Sequence, residues 1–140
     1  MKKILVVLIL LFPLKLLAPA DLYLMILQAE VFHPYEKIWQ AAIYVESRGD
    51  PFAVNPLDPN GGSWGIVQIG QLKLNEYNLE HGTNLVLKDC FDVEISKKIF
   101  MHHMAKYNDI ETAIRGWNGS GPKTLEYWSL IQKALLLVNN

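Results

Sequence analysis

The sequence predicts a mainly α domain with one small hairpin or irregular loop region. Three observations carry that expectation. Apolar residues recur at helical spacing, proline and glycine concentrate in two short stretches, and 140 residues suffice for one core but not for two. The spacing is clearest in Ile38, Trp39, Ala42, Ile43 and Glu46, which share one helix face, and again in Ile95, Ile99, Phe100, His103 and Met104. The punctuated stretches are Pro51–Gly70 and Gly116–Pro122, and both are expected to be loops.

From the N-terminus, Met1-Lys2-Lys3 precedes the apolar run Ile4–Phe12 and then Pro13-Leu14-Lys15-Leu16-Leu17. A basic start, a short apolar stretch and small residues at Ala18 and Ala20 are the parts of an export signal, so cleavage is expected after Ala20, with a catalytic domain over 21–140. The other reading is a retained anchor, but Pro13, Lys15 and Asp21 interrupt the roughly 20-residue apolar span that a bilayer crossing needs. Leu22–Val31 should form the first mature helix, ending near His33-Pro34, with the next starting at Tyr35. Gly49 is expected to stop that second helix. Asp92 is expected to N-cap a later one, and Asp109 and Thr124 are two further candidate caps. Ser63–Ile69 alternates weakly between Gly61-Gly62 and Gly70, which suits a short hairpin or an irregular loop packed on the helices.

Three of the 13 Lys and Arg residues precede Asp21, leaving 10 against 14 acidic residues and a net charge of −4 for the mature part. That balance argues against nucleic acid as a partner. Cys90 is the single cysteine, so no internal disulfide is possible and a buried small apolar side chain is expected. His102 and His103 are adjacent and point about 100° apart on a helix, which does not suit one shared ion, so no metal site is expected.

Glu46 follows Ile43, Ala42 and Trp39 at helical spacing, which puts a carboxyl on an apolar stripe. Desolvation there disfavours the charged form and should raise its pKa, as suits a group that donates a proton near neutral pH. Spacing alone equally allows an exposed glutamate at a helix end, or one paired with Arg48 or Lys37.

Four segments resemble a known family. Ala42–Asn55 is similar to the catalytic-glutamate motif of soluble lytic transglycosylases and related goose-type lysozymes. Gly62–Ile69 resembles that family's Gly-x-x-Gly-(Leu/Ile)-(Met/Val)-Gln segment, Ala113–Pro122 its Ala-(Tyr/Trp)-Asn-x-Gly loop, and Thr124–Trp128 its closing Thr-x-x-Tyr helix start. They occur in the family's order, and the resemblance covers roughly Trp39 to Ile131.

The resemblance implies an α+β lysozyme-like fold whose loop region lines a glycan cleft, with peptidoglycan as the partner. It implies that Glu46 protonates the glycosidic oxygen between N-acetylmuramic acid and N-acetylglucosamine. The C6 hydroxyl of the sugar then attacks C1, leaving a 1,6-anhydro product without metal or organic cofactor. Ser47, Gln68, Asn118 and Tyr127 match family positions at the cleft. Each also has a structural reading: Ser47 as a plain helix-end residue, Gln68 as a turn-stabilising amide, Asn118 bonding its own backbone, and Tyr127 in the core. Trp64, set among glycines, is expected to face sugar, and Trp117 to support its loop.

Ordinary glycosidases use two carboxylates, and hydrolytic goose-type relatives are associated with acidic residues in the loop after the glutamate. Asp50 and Asp58 stand there, both in turn-forming contexts. A hydrolase is therefore one alternative. Another is a catalytically weak glycan-binding protein recruited to secretion, conjugation or phage machinery. The N-terminal segment leads one to expect an exported protein of the periplasm or cell envelope, membrane-anchored if that segment is retained, and a monomer is expected.

Overall fold

In the computed structural model, which describes residues 35–58 and 60–138, the stripe from Ile38 to Glu46 lies on a helix covering residues 35–46 (α1). Ile38, Trp39, Ala41 and Ala42 are buried, and Ile43 packs against the same core. The helix ends where the backbone turns left-handed, at Arg48 (φ 59°) and Gly49 (φ 90°), so the expected stop at Gly49 lies inside this turn. The proposed signal over 1–20 and the expected helix Leu22–Val31 lie outside the described residues.

The loop Pro51–Gly70 contains more order than the sequence suggested. The expected hairpin is the antiparallel pair β2 (Ser63–Trp64) and β3 (Ile69–Gly70), with Trp64 opposite Ile69. A further strand, β1 (Val54–Asn55), pairs with β2, placing Val54 opposite Trp64 and giving the sheet order β1-β2-β3. Between β2 and β3, Gly65 (φ 81°) and Gln68 (φ 53°) both adopt left-handed backbone. A Cβ on Gly65 would run into the carbonyl group of Cys90, so this turn needs glycine for both conformation and space.

Four helices follow: α2 (Gln71–His81), α3 (Val93–Met104), α4 (Ile110–Asn118) and α5 (Lys123–Val138), with a 3-10 turn, Leu87–Phe91, ahead of α3. Asp92 caps α3, its carboxylate accepting the backbone N–H groups of Glu94 at 2.8 Å and Ile95 at 3.2 Å. Asp109 caps α4 in the same way through Thr112 at 2.8 Å. Thr124 corrects the sequence reading. It lies inside the first turn of α5, and its hydroxyl donates back to the Gly121 carbonyl at 2.8 Å rather than accepting from the helix.

Phe100, fully buried on α3, joins the helices: its ring lies 5.4 Å from Trp39 of α1 and 5.0 Å from Trp117 of α4. Burying one such ring stabilises the fold by about 2–3 kcal/mol. Ile99, Met104, Ile114 and Ile131 extend the core around it, and Cys90 is a buried free thiol, as composition led one to expect. The observed molecule is therefore mainly helical with a small antiparallel sheet, matching the expected class.

Candidate active site

Helix α1 carries Glu46 to its C-terminal end, and α5 brings Tyr127 against it across 81 residues of sequence. The Tyr127 hydroxyl donates to Glu46 Oε1 at 2.6 Å. Burial pushes the Glu46 carboxyl up to about 7, the Tyr127 hydrogen bond acts against that rise, and the negative charge of Asp58 adds to it. Tyr127 is buried, and burial together with the neighbouring Glu46 raises its own pKa well above the phenol range. It therefore remains a donor at any physiological pH. A half-buried carboxyl near 7 populates both protonation states at neutral pH, so it can give a proton and take one back.

Glu46 opens onto a cleft of about 320 Å³ that is also lined by Asp58, Gln68, Lys73, Trp117 and Asn118. Gln68 performs two tasks at once. Its Nε2 donates to the carbonyls of Gly65 at 2.9 Å and Ala53 at 3.2 Å, and its Oε1 accepts from Ser63 Oγ at 3.0 Å, so the amide braces the β2–β3 turn from the cleft side. One acceptor position on Oε1 is left over. Ser47 holds the other end of this wall, its Oγ donating to the Ile66 carbonyl at 2.7 Å and thereby tying the end of α1 to the hairpin.

Two tryptophans sit differently from the sequence expectation, and of the two readings of Asn118 the backbone-bonding one is not seen. Trp64 is not among the residues lining the cleft. Its indole lies 5.3 Å from the Phe91 ring and donates to the Gly61 carbonyl at 2.9 Å, because the glycine turn and the 3-10 turn supply both partners. Trp117 lines the cleft instead, while still packing on Phe100. Asn118 does not bond its own backbone. The end of α4 is closed by the Gly119 N–H on the Arg115 carbonyl at 3.2 Å, and the exposed Asn118 amide has no partner among the described residues.

The two loop aspartates separate cleanly. Asp50 Oδ1 accepts the Phe52 N–H at 2.9 Å, an Asx turn outside the cleft, whereas Asp58 lines the cleft and acts on Glu46 through its charge.

Lys73 was not singled out by sequence. It sits in the first turn of α2, where the helix dipole disfavours a cation, and that mismatch is the one local signal that it serves another purpose. Its Nζ donates to the Gly116 carbonyl at 2.9 Å, one of the carbonyls left open at the end of α4, and lies 3.2 Å from His103 Nδ1. His103 is buried, and burial drives its pKa down to about 4, so the ring is neutral. Its Nε2–H donates to the Ala113 carbonyl at 2.9 Å, which leaves Nδ1 to accept from Lys73. His102, its sequence neighbour, faces elsewhere and pairs with Glu80 at 2.7 Å.

The model of the transglycosylase SLT domain matches residues 26–135, which takes in α1 to α4, most of α5, the sheet and all of the cleft. The chain belongs to the transglycosylase SLT domain family. Neither a curated protein nor a solved structure matches it. Membership of the SLT family gives the chain a peptidoglycan substrate and a lytic-transglycosylase-like function in general terms, and it is typical of periplasmic or envelope proteins. Among the described residues of this SLT domain, no helix is long and apolar enough to cross a membrane.

Proposed function

We propose that the chain is a peptidoglycan lytic transglycosylase in which Glu46 acts first as acid and then as base. The observation that carries this is the Glu46 carboxyl itself, raised to about 7 by burial, held by Tyr127 at 2.6 Å and opening onto the cleft. The protonated carboxyl gives its proton to the glycosidic oxygen between N-acetylmuramic acid and N-acetylglucosamine as the C1–O bond breaks. The resulting carboxylate takes the proton of the same sugar's C6 hydroxyl as that oxygen bonds to C1. Glu46 ends protonated, the product carries a 1,6-anhydro ring, and no water is consumed. One group with a pKa near the working pH serves both transfers.

The remaining roles follow from what each side chain has free. The Asn118 amide and the open acceptor position on Gln68 Oε1 offer hydrogen bonds to an N-acetyl group or hydroxyl. Tyr127 orients Oε1 of the acid, and Ser47 acts through the hairpin it holds. Residues 1–20 serve as the export signal that delivers the domain over 21–140 to the envelope.

Asp58 favours a second reading. It lines the same cleft as Glu46, so it is the available carboxylate for activating a water, which would make the reaction a hydrolysis. Digestion of purified sacculi followed by mass spectrometry separates the two, with Glu46→Gln as control. Fragments lighter by one water at the muramyl end, released by wild type and absent with the variant, are the expected result. Full-mass reducing ends dependent on both Glu46 and Asp58 would instead establish the hydrolase.

A further inference from the structure

We propose that Lys73 is the subsite residue that recognises the substituent on C3 of the muramyl sugar, by donating to an oxygen of its lactyl group. The inference rests on the peptidoglycan reading above and adds what distinguishes one sugar of the alternating strand from the other.

Lys73 is the only Lys, Arg or His among the residues lining the cleft, where the other charged groups are Glu46 and Asp58. An ammonium has three N–H donors. The Gly116 carbonyl and His103 Nδ1 take two of them, and the third has no partner among the described residues. Both partners are fixed. Gly116 lies within α4, where a Cβ would come 2.9 Å from the Tyr107 hydroxyl, and His103 is locked by its second nitrogen on Ala113. The Trp117 ring centroid lies 5.9 Å from Nζ and presents a π face that favours a cation. Burial lowers the Lys73 pKa from its ordinary value, because the ammonium has lost part of its water.

Within a strand of alternating sugars, N-acetylglucosamine offers hydroxyls and an acetamide throughout. N-acetylmuramic acid adds the lactyl group, which is a carboxylate when bare and an amide carbonyl when it carries peptide. Both forms present an acceptor oxygen, and the carboxylate adds charge.

The test measures equilibrium binding in a Glu46→Gln background, so that nothing is cleaved. The probes are a peptide-free tetrasaccharide of the alternating sugars, its peptide-bearing counterpart, and a tetrasaccharide of N-acetylglucosamine alone. Adding Lys73→Met is expected to weaken one or both muramyl ligands about tenfold, as loss of one charge-assisted hydrogen bond does. The N-acetylglucosamine ligand should bind unchanged. A loss confined to the peptide-free ligand identifies the carboxylate as the group read, and equal losses identify the shared carbonyl. Lys73→Arg keeps a donor and should retain most of the discrimination, which also guards against a Met variant that fails to fold. Equal weakening of all three ligands, or no weakening of any, overturns the proposal while leaving the peptidoglycan reading intact. If none of the ligands binds and wild type releases nothing from sacculi, that broader reading fails and takes this one with it.

Discussion

Between α1 and α5 the cleft wall is shaped by apolar packing, whereas the wall formed by residues 53–58 and 60–70 takes its course from hydrogen bonds and left-handed backbone. On the helical side, Ile38, Trp39, Ala42, Ile131 and Ala134 are buried in the shared core, and the Tyr127–Glu46 bond is a polar contact at its edge. On the hairpin side, Ile66, Val67 and Ile69 anchor the segment, but Gln68, Ser47, Ser63 and Gly65 decide where it runs. Packing spread over many methyl groups tolerates a change in one polar group. A turn set by a few bonds and one glycine does not.

The largest expected effect tests the helical side. Glu46→Gln keeps the shape and removes the proton, so kcat for sacculus solubilisation should fall about a thousandfold, within the range that acid and base catalysis contributes. Near-ultraviolet circular dichroism should be unchanged. A collapsed spectrum would show that the carboxyl, and not packing, shapes this wall.

The next tests the hairpin. Gly65→Ala combines an unfavourable φ with a clash against the Cys90 carbonyl and should cost about 3 kcal/mol in denaturant unfolding. Gly70→Ala serves as its control. Gly70 has φ −88° and open space around the added Cβ, so the change should stay within about 0.5 kcal/mol. Equal costs at the two glycines would end the contrast between the walls.

The same contrast explains what could be read in advance. Apolar spacing found α1 and α3, and acidic caps found the starts of α3 and α4, because both signals lie within one helical turn. Glu46 was visible as a carboxyl on a stripe, but periodicity alone could not give it the Tyr127 partner 81 residues away. The ordered motifs brought both residues to the cleft without giving their contact. Strand β1 was missed because two residues, Val54 and Asn55, carry no periodicity. Trp64 and Trp117 were assigned opposite places because glycine neighbours reveal a turn without revealing which way an indole points. Lys73 escaped because its partners, a backbone carbonyl at Gly116 and a ring nitrogen at His103, are 43 and 30 residues away.

A smaller effect compares two titratable groups whose pKa values burial shifts in opposite directions. Glu46 is raised from 4.5 to about 7, so the folded state holds its proton more tightly than the unfolded chain between those values. The stability this contributes is complete below about pH 4.5 and is lost as the pH rises through 7. Removing the group should therefore make Glu46→Gln more stable than wild type by about 2 kcal/mol at pH 8, a figure reduced for partial exposure, with the gain vanishing near pH 4. His103 works the other way. Burial lowers it from 6.5 to about 4, so its contribution is complete above 6.5 and is lost as the pH falls through 4. Urea midpoints measured from pH 4 to 8 should show the variant's advantage growing with pH. A constant difference would mean that Glu46 titrates normally.

The smallest effect separates positioning from packing at Tyr127. Tyr127→Phe keeps the buried ring on α5 and removes only the hydroxyl that donates to Glu46, so unfolding should shift by about 1 kcal/mol or less. That hydrogen bond holds the Glu46 pKa down against burial, and without it the carboxyl should keep its proton to higher pH. The alkaline limb of kcat/KM, which reports the free enzyme losing its acid, should move upward from about 7, while the plateau falls about tenfold as the acid loses its orientation. A fallen plateau with an unmoved limb would mean that the hydroxyl serves the sugar and not the carboxyl. An unchanged profile would mean that the core alone sets the Glu46 side chain, extending the rule of the helical wall to the acid itself.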